Sequence, residues 1–296
     1  MTEKISKVGM IGLGYMGEAM AECLLARGYA VIGFDIDAAK VEAAAARGVT
    51  AAASPAEVAR AAEALLVCVT STASVEQVVF GADGVAAAGG SARVLVDLST
   101  SDAEATRDMA ARLAEAAGMA WIDAPVSGGP PAARSGSLAI MVGGESVALA
   151  EVQSLLDALG ARVTHMGPVG AGQSTKMINQ VLVLTNFAVL AEALKLGENA
   201  GIDVAKIPDC LGDGHAGSNL LRAMFPRMIE RQYEPPAARA RQVLKDLDMV
   251  YELAKKTTTP TPMCDQARAL YRLMVARGHA ESDPIALLKL YDEGPV

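Results

Sequence analysis

The sequence Val8-Gly-Met-Ile-Gly-Leu-Gly-Tyr-Met-Gly17 decides the fold class of the first half of the chain. A short apolar run precedes the three glycines Gly12, Gly14 and Gly17, and a stretch of helical composition follows them. In that setting the first glycine allows a tight turn, the second lets the backbone approach a pyrophosphate, and the third lets the helix pack closely on the strand. Free N–H groups at the helix N-terminus favour phosphate charge. The pattern predicts a dinucleotide-binding turn.

Asp35 adds a second dinucleotide signal, because it lies at the end of the next predicted strand. A carboxylate there can accept hydrogen bonds from the ribose hydroxyls of adenosine. A 2′-phosphate would meet this negative charge, and no arginine lies between Ile36 and Lys40 to neutralise it. NAD is therefore favoured as the cofactor, while Lys40 leaves NADP possible.

The first 165 residues alternate short β-branched runs with alanine-rich segments of helical period, which is typical of successive βα units. We expect an α/β fold with an N-terminal Rossmann-type, doubly wound sheet. Its strands are predicted at 8–11, 29–34, 64–69, 93–97, 119–123, 137–142 and 162–165, with helices at 17–27 and 102–117. Ligands bind outside the carboxyl ends of such strands. The cofactor is therefore expected to contact the strand-end residues Val69, Thr70 and Thr100, together with Tyr15 and Met16 of the glycine turn.

The composition changes after the glycine-rich stretch 167–172. A continuous helical pattern covers 173–200, and prolines separate further segments of helical length with no convincing strand. The prediction is an NAD-binding domain at 1–166 and an all-helical substrate and dimerisation domain at 167–296, beginning with a long interdomain helix. Apolar residues of 181–194 occupy more than one helix face, so this segment is expected to pack between domains or against a second copy in a homodimer or homotetramer.

The segment Asp123-Ala-Pro-Val-Ser-Gly-Gly129 follows a predicted strand. In it Ser127, Gly128 and Gly129 offer a hydroxyl and two unhindered backbone N–H groups, which can form a nest for an anion. The pattern favours a site for a substrate carboxylate. A glycine loop that only turns the chain is the alternative interpretation.

Lys176 lies in the first turns of the predicted long helix, and Asn179 and Gln180 follow at i+3 and i+4 on the same face. The positive potential of a helix N-terminus and desolvation both lower the pKa of a lysine toward values useful for proton transfer. This arrangement predicts a general acid/base lysine, with a solvated lysine on an exposed helix as the alternative. Further along the chain, the adjacent charged residues Lys245 and Asp246 could contact cofactor or substrate. Most charge pairs of this kind lie on solvated helix faces, which is the alternative interpretation.

These four motifs, in this order and spacing, resemble the β-hydroxyacid dehydrogenase family over residues 8–291. The resemblance implies that Lys176 is the catalytic acid/base and that Ser127, Gly128 and Gly129 hold the substrate carboxylate. It further implies that Thr100 borders the nicotinamide and that Lys245 approaches the cofactor. Asn179, Gln180 and Asp246 are the remaining expected substrate-site residues. The expected activity is reversible hydride transfer between NAD and a small 3-hydroxy acid.

Two positions depart from the family's commonest form. The family often has a second asparagine where this chain has Gln180, and often has phenylalanine where this chain has Ala238. The Asn-Gln pair and Ala216-Gly-Ser218 look like the tartronate semialdehyde reductase branch, whereas Ala133-Arg-Ser-Gly136 looks like 3-hydroxyisobutyrate dehydrogenases. The two branches of the family, and other semialdehyde reductases, stay open at this point.

Composition narrows the remaining classes of function. The net charge of −8 disfavours nucleic acid and anionic membrane surfaces as partners. The apolar stretch 181–194 is shorter than the roughly 20 residues that cross a bilayer, and the N-terminal residues carry no secretory pattern, so a cytoplasmic protein is expected. Four scattered cysteines and three histidines predict no metal site. Two other enzyme classes share parts of these motifs. A phosphogluconate-type dehydrogenase would have His-Asn after the residue that corresponds to Lys176, and an imine reductase generally has another residue in place of that lysine. Outside enzymes, the alternative is a dinucleotide-binding module without catalytic activity.

Overall fold

The computed structural model describes residues 5–90, 92–236 and 238–292. It divides into two compact units, Met1–Lys176 and Met177–Val296. One helix begins in the first unit and continues in the second. The sequence boundary at 166/167 stays a prediction about where cofactor-binding and substrate-binding functions separate.

The first unit is built on one nine-stranded sheet. Its strands are β1 Lys7–Ile11, β2 Ala30–Phe34, β3 Thr50–Ala51, β4 Ala64–Val67, β5 Val94–Asp97, β6 Ala120–Asp123, β7 Val126–Ser127, β8 Leu138–Gly143 and β9 Gly160–Gly167. They lie in the order β3-β2-β1-β4-β5-β6-β8-β7, and β9 pairs with β8. The six strands from β3 to β6 are parallel, whereas β8 runs antiparallel to β6 and β7. The predicted doubly wound, Rossmann-type sheet is confirmed.

Helices cover this sheet, and side-chain caps mark the start of several of them. They are α1 Tyr15–Ala26, α2 Ala38–Ala45, α3 Pro55–Ala61, α4 Thr72–Phe80, α5 Ala103–Ala117, α6 Gly129–Ser135 and α7 Ser146–Leu159. The side chains of Ser54, Ser71 and Asp102 accept hydrogen bonds from first-turn N–H groups of α3, α4 and α5. A short 3₁₀ turn, Val85–Ala87, follows α4.

Two apolar cores lie within the first unit. One contains Met20, Leu66 and Leu156, and the other contains Leu65, Leu95 and Trp121. Leu65 and Leu66 are neighbours in β4, so their side chains point to opposite faces of the sheet. The strands are therefore buried on both faces, as a parallel sheet requires.

The second unit is helical among its described residues. The long helix is α8 Ala171–Asn199, and the others are α9 Ile207–Leu211, α10 Asn219–Ile229, α11 Ala240–Lys256, α12 Pro262–Met274 and α13 Lys289–Asp292. Two 3₁₀ turns, Val204–Lys206 and Pro284–Leu288, and a π turn at Val275–His279 connect them. The predicted helix over 173–200 and the all-helical second half are confirmed.

Helix α8 is 29 residues long, which makes it longer than the apolar stretch 181–194 within it. By length and composition alone it could cross a membrane, but the core helix of a soluble protein passes the same test. Leu184, Leu190 and Leu194 are buried in the cores of the second unit. The absence of a membrane contact stays a prediction.

Candidate active site

The turn between β1 and α1 leaves an open backbone surface at a helix N-terminus. Gly14 precedes the first residue of α1, and no side chain of the described residues caps this helix end. A Cβ atom built on Gly14 would meet no atom within 4 Å, whereas one built on Gly17 would collide with the carbonyl oxygen of Gly12. Gly17 is therefore required by the fold, but the space above Gly14 is not filled by the described chain. This open surface beside uncapped N–H groups fits the pyrophosphate of a dinucleotide.

Asp35 holds the glycine turn in place. Its Oδ2 accepts a hydrogen bond from the backbone N–H of Leu13 at 2.7 Å, and its Oδ1 accepts one from the N–H of Asp37 at 2.9 Å. Lys40 lies 3.5 Å from the same carboxylate, with its side chain 45% exposed. Each carboxylate oxygen has a further lone pair. The group can therefore bind ribose hydroxyls while it orders the turn.

The other predicted cofactor residues lie around the carboxyl ends of the central strands. Tyr15 is exposed at the start of α1, and Met16 follows it. The backbone N–H of Val69, just after β4, donates to Oγ of Ser99 at 3.0 Å, which links this strand end to the segment that holds Thr100. Thr70 follows Val69 directly. All of these residues lie in the first unit.

The predicted carboxylate nest begins in β7. Ser127 pairs with Ala139 of β8, which fixes the start of the loop. Gly128 and Gly129 have φ angles of 133° and 69°, values that L side chains rarely adopt, and α6 begins at Gly129. The two glycines are therefore needed for the backbone path that places their N–H groups after Ser127.

Lys176 lies against this loop. Its side chain is buried, the residue being 8% exposed, and its Nζ donates a hydrogen bond to the carbonyl oxygen of Val126 at 2.7 Å. Val126 is the residue before Ser127. The structure thus brings together two predicted elements, the acid/base lysine and the carboxylate loop, that are about 50 residues apart in sequence. The alternative of a solvated lysine on an exposed helix does not describe this side chain.

Two buried carboxyl groups, for which the sequence predicts no role, lie beneath this region. Asp97 ends β5 and Asp123 ends β6, and they are paired in the sheet register. Asp97 accepts hydrogen bonds from the N–H of Ser99 at 2.9 Å and Oγ of Ser101 at 3.2 Å. Burial raises the pKa of Asp97 to about 7 and raises the pKa of Asp123, against the lowering effect of their hydrogen bonds. The sequence does show an aspartate at the end of each of these apolar strands, which could have suggested a buried carboxyl group. It does not show which other segment the carboxyl group contacts.

Asp123 caps the long helix from outside the helix. Its Oδ1 accepts a hydrogen bond from the N–H of Gly170 at 2.8 Å, and its Oδ2 accepts one from the N–H of Gln173 at 2.9 Å. These are N–H groups of the first turn of α8 and its approach, which have no partner within the helix. A carboxylate at this end also complements the helix dipole. The turn of helix that precedes Lys176 is therefore fixed by the end of β6.

The second unit joins the other four predicted polar residues in one chain of contacts. Nδ2 of Asn179 donates to Oε1 of Gln180 at 2.8 Å, and Nε2 of Gln180 donates to Oδ2 of Asp246. Lys245 lies 3.1 Å from Oδ1 of Asp246. The Lys245-Asp246 pair is therefore linked to α8 within this unit.

Comparison with known proteins agrees with this arrangement. Two protein-family models match the sequence. The family model for the NAD-binding domain of 6-phosphogluconate dehydrogenase matches residues 7–167, and the one described as NAD-binding of NADP-dependent 3-hydroxyisobutyrate dehydrogenase matches residues 170–291. The chain is 34% identical to mitochondrial 3-hydroxyisobutyrate dehydrogenase of Mus musculus, covering 93% of this chain and 84% of that protein. It is 33% identical to 2-(hydroxymethyl)glutarate dehydrogenase of Eubacterium barkeri, covering 98% and 96%. A crystal structure of 3-hydroxyisobutyrate dehydrogenase from Salmonella typhimurium superposes with a TM-score of 0.87 at 30% identity, covering 96% of this chain and 99% of that one.

The fold, the glycine turn and these matches define an NAD(P)-dependent oxidoreductase that acts on the hydroxyl group of 3-hydroxy acids. The chain belongs to the β-hydroxyacid dehydrogenase family. Its substrate within that family does not follow from identities of about one third, since the matched relatives act on different acids.

Proposed function

We propose that this chain is an NAD-dependent 3-hydroxyisobutyrate dehydrogenase, with Lys176 as its catalytic acid/base. The observation that carries the proposal is the buried side-chain nitrogen of Lys176 within hydrogen-bonding distance of the loop that leads into Ser127. A substrate carboxylate held by Ser127, Gly128 and Gly129 would bring the neighbouring hydroxyl toward a group able to exchange a proton with it. The other matched relatives support only the reaction class.

In this proposal the chain supplies binding, orientation and proton transfer. The glycine turn and Asp35 would hold NAD, which would supply the hydride acceptor for oxidation and the hydride donor for reduction. Lys176 takes the hydroxyl proton during oxidation and gives it back during reduction. Asn179 and Gln180 follow one turn later on α8 and orient lysine and substrate, and Asp246 holds the amide of Gln180. Lys245 neutralises Asp246 and is expected to approach the cofactor.

The preference for NAD over NADP is supported by Asp35. Both of its carboxylate oxygens are already engaged by backbone N–H groups, so its charge stays where a 2′-phosphate of NADP would lie. Lys40 pairs with this charge from an exposed position and offsets it only in part.

One observation favours a second candidate, a tartronate semialdehyde reductase. Gln180 is one methylene longer than the asparagine common in the family, and it is hydrogen-bonded at both ends, to Asn179 and to Asp246. A fixed, longer amide changes the shape of the space that the substrate occupies. The matching Asn-Gln pair is the feature that resembles that branch.

We also infer a homo-oligomer that forms through α8. Ile178, Leu182, Val189 and Leu196 are large apolar side chains that stay exposed on this helix, and the last three are seven residues apart, which places them on one stripe. A row of exposed apolar side chains of this kind marks an interface. Light scattering should show the mass of a dimer or tetramer for the wild type, and a lower apparent mass for Leu182→Glu. A wild-type monomer at micromolar concentration would contradict the inference. We also propose a cytoplasmic location, in keeping with the soluble metabolic enzymes among the relatives of this chain.

The test of function is a set of initial rates with NAD and NADP against 3-hydroxyisobutyrate, glycerate, serine, 3-hydroxypropionate and 4-hydroxybutyrate. Tartronate semialdehyde, glyoxylate and succinic semialdehyde are assayed in the reverse direction. The proposal expects 3-hydroxyisobutyrate to exceed the others at least about tenfold in kcat/KM, about 1.4 kcal/mol of discrimination. Lys176→Ala should lower turnover by roughly 10²–10⁴-fold and leave NADH binding nearly unchanged. Near-normal turnover of Lys176→Ala would overturn the assignment of Lys176.

A further inference from the structure

Gln173, on α8, is hydrogen-bonded to the segment after β5 by both ends of its amide. Its Oε1 accepts a hydrogen bond from the N–H of Ser101 at 3.0 Å, and its Nε2 donates one to the carbonyl oxygen of Ser99 at 2.8 Å. The residue is fully buried. Thr100, which lies between the two bonded residues, is therefore clamped on both sides.

The same amide stands one helical turn before Lys176. The N–H of Gln173 is held by Asp123, so both the backbone and the side chain of this residue are fixed. A residue at i and a residue at i+3 lie on one face of a helix. Any shift of Gln173 would therefore move Lys176 with it.

The network continues to the neighbouring strand. Oγ of Ser99 accepts a hydrogen bond from the N–H of Val69, and the N–H of Ser99 is bound by Asp97. Gln173 thereby connects the ends of β4 and β5, where cofactor contacts are expected, to the helix that bears the proton-transfer group. Neither of its two side-chain hydrogen bonds is needed to form α8 itself, since they run to another element.

We propose that Gln173 is a positioning residue that holds the Thr100 segment and Lys176 in one fixed arrangement, so that hydride transfer and proton transfer are aligned on the same substrate. The proposal rests on the proposed function, because it takes Lys176 as the acid/base and Thr100 as a neighbour of the nicotinamide. Gln173 touches neither substrate nor reacting atoms in this scheme. Its contribution is expected in kcat rather than in cofactor affinity, since the pyrophosphate turn and Asp35 lie elsewhere in the first unit.

The experiment compares Gln173→Met with the wild type and with the matched control Gln153→Met. Methionine has similar length but cannot form either hydrogen bond, and Gln153 lies on the surface of α7, where its amide bonds to Asp157. We expect Gln173→Met to lower kcat at least tenfold, to change the NADH dissociation constant less than threefold, and to raise the primary deuterium isotope effect measured with 4-deuterated NADH. The control should stay within twofold of the wild type in all three.

A second readout needs neither cofactor nor substrate. Hydrogen–deuterium exchange of the protein alone should quicken in Gln173→Met within peptides that cover 98–102 and 170–176, and should not change in Gln153→Met. A variant with wild-type kcat, isotope effect and exchange in these peptides would overturn the proposal. A lowered melting temperature with unchanged kcat would overturn it too, because it would show a purely structural role.

Gln173→Glu keeps the shape of the side chain and adds a pH test. A protonated glutamic acid can donate to Ser99 and accept from Ser101, whereas the ionised form cannot donate. Burial and the nearby carboxyl groups of Asp97 and Asp123 favour the protonated form, and Lys176 opposes them when it is protonated. We expect the ratio of variant to wild-type kcat to rise as the pH falls, and a ratio that does not vary with pH would contradict the alignment role.

The outcomes separate the two proposals. If Lys176→Ala retains turnover, or no 3-hydroxy acid is oxidised, the proposed function fails, and the exchange experiment still tests whether Gln173 clamps the two segments. If Lys176→Ala is inactive but Gln173→Met keeps its kcat and isotope effect, the proposed function stands and the positioning role is wrong. The kcat measurements use whichever hydroxy acid gives the highest kcat/KM, and the isotope effect is measured in the reverse direction, with the corresponding semialdehyde and 4-deuterated NADH.

Discussion

Replacement of Asp97 by asparagine should remove a pH-dependent loss of stability. Burial raises the pKa of Asp97 from 3.8 to about 7, although Ser99 and Ser101 donate hydrogen bonds to it. A carboxyl group whose pKa is higher in the folded state binds its proton more tightly there, so the free energy of unfolding falls as the pH rises from about 4 to about 7. Each pKa unit corresponds to about 1.4 kcal/mol, so the ionised group costs about 4 kcal/mol at most.

The amide introduced by Asp97→Asn cannot ionise, but it reproduces the hydrogen bonds of the protonated acid. Its oxygen can accept from the N–H of Ser99, and its NH₂ group can donate to Oγ of Ser101. Between pH 5 and pH 8 the stability of Asp97→Asn relative to the wild type should therefore rise by about 2–3 kcal/mol. For a unit of this size the gap in melting temperature should widen by roughly 4–12 °C.

Scanning calorimetry of both proteins at pH 5, 6, 7 and 8 measures this gap. Asp157→Asn is the matched control, because Asp157 is exposed on α7, and its gap should stay constant. A constant difference between Asp97→Asn and the wild type over the whole range would refute the reasoning, since it would mean that Asp97 does not change protonation on unfolding between pH 5 and pH 8.

Three further outcomes are expected. Gly14→Ala should keep the wild-type melting temperature but weaken NADH binding at least about tenfold, because only the ligand needs the open surface above Gly14. Gly17→Ala should lower the melting temperature, because its Cβ atom would clash with the backbone. Equal effects of the two substitutions on stability would contradict this distinction. Asp35→Asn should reduce the preference for NADH over NADPH by about tenfold in fluorescence titrations, and an unchanged ratio would show that this carboxylate does not choose the cofactor. Leu247→Ala should lower the free energy of unfolding by about 2–5 kcal/mol, because the Leu247 side chain is fully buried in the second unit. Leu273 is half-exposed, so Leu273→Ala should lower the free energy of unfolding by less than about 1 kcal/mol in the same calorimetric measurement. Equal losses in the two variants would argue against a core around Leu247.

The long, periodic elements of the fold were predictable from the sequence. The order of β1, glycine turn, α1 and β2, and the length of α8, follow from apolar periodicity and from glycine placement. The strands β3 and β7 were missed because two residues give no period to detect. The segment 64–69 was predicted as strand, yet β4 ends at Val67, because the strand-end residues turn toward the segment after β5.

The candidate site was predicted only where residues form motifs. Lys176 and Ser127 belong to recognisable patterns, and the structure brings them together through Val126. Asp97 and Gln173 belong to no pattern, because their importance arises from strand ends that become neighbours only in the folded sheet. The partner of a buried polar group is a property of three-dimensional packing, so a single sequence does not reveal it.

Trp121 gives this protein an optical probe of one unit. It is the single tryptophan in the sequence, and it is buried in β6, two residues before Asp123. Its emission therefore reports the environment of the sheet, while the circular dichroism of the whole chain includes the helices of the second unit. Unfolding curves from the two signals coincide only if both units unfold together. Because reduced nicotinamide absorbs where tryptophan emits, quenching of Trp121 by energy transfer would also follow NADH binding without any introduced label.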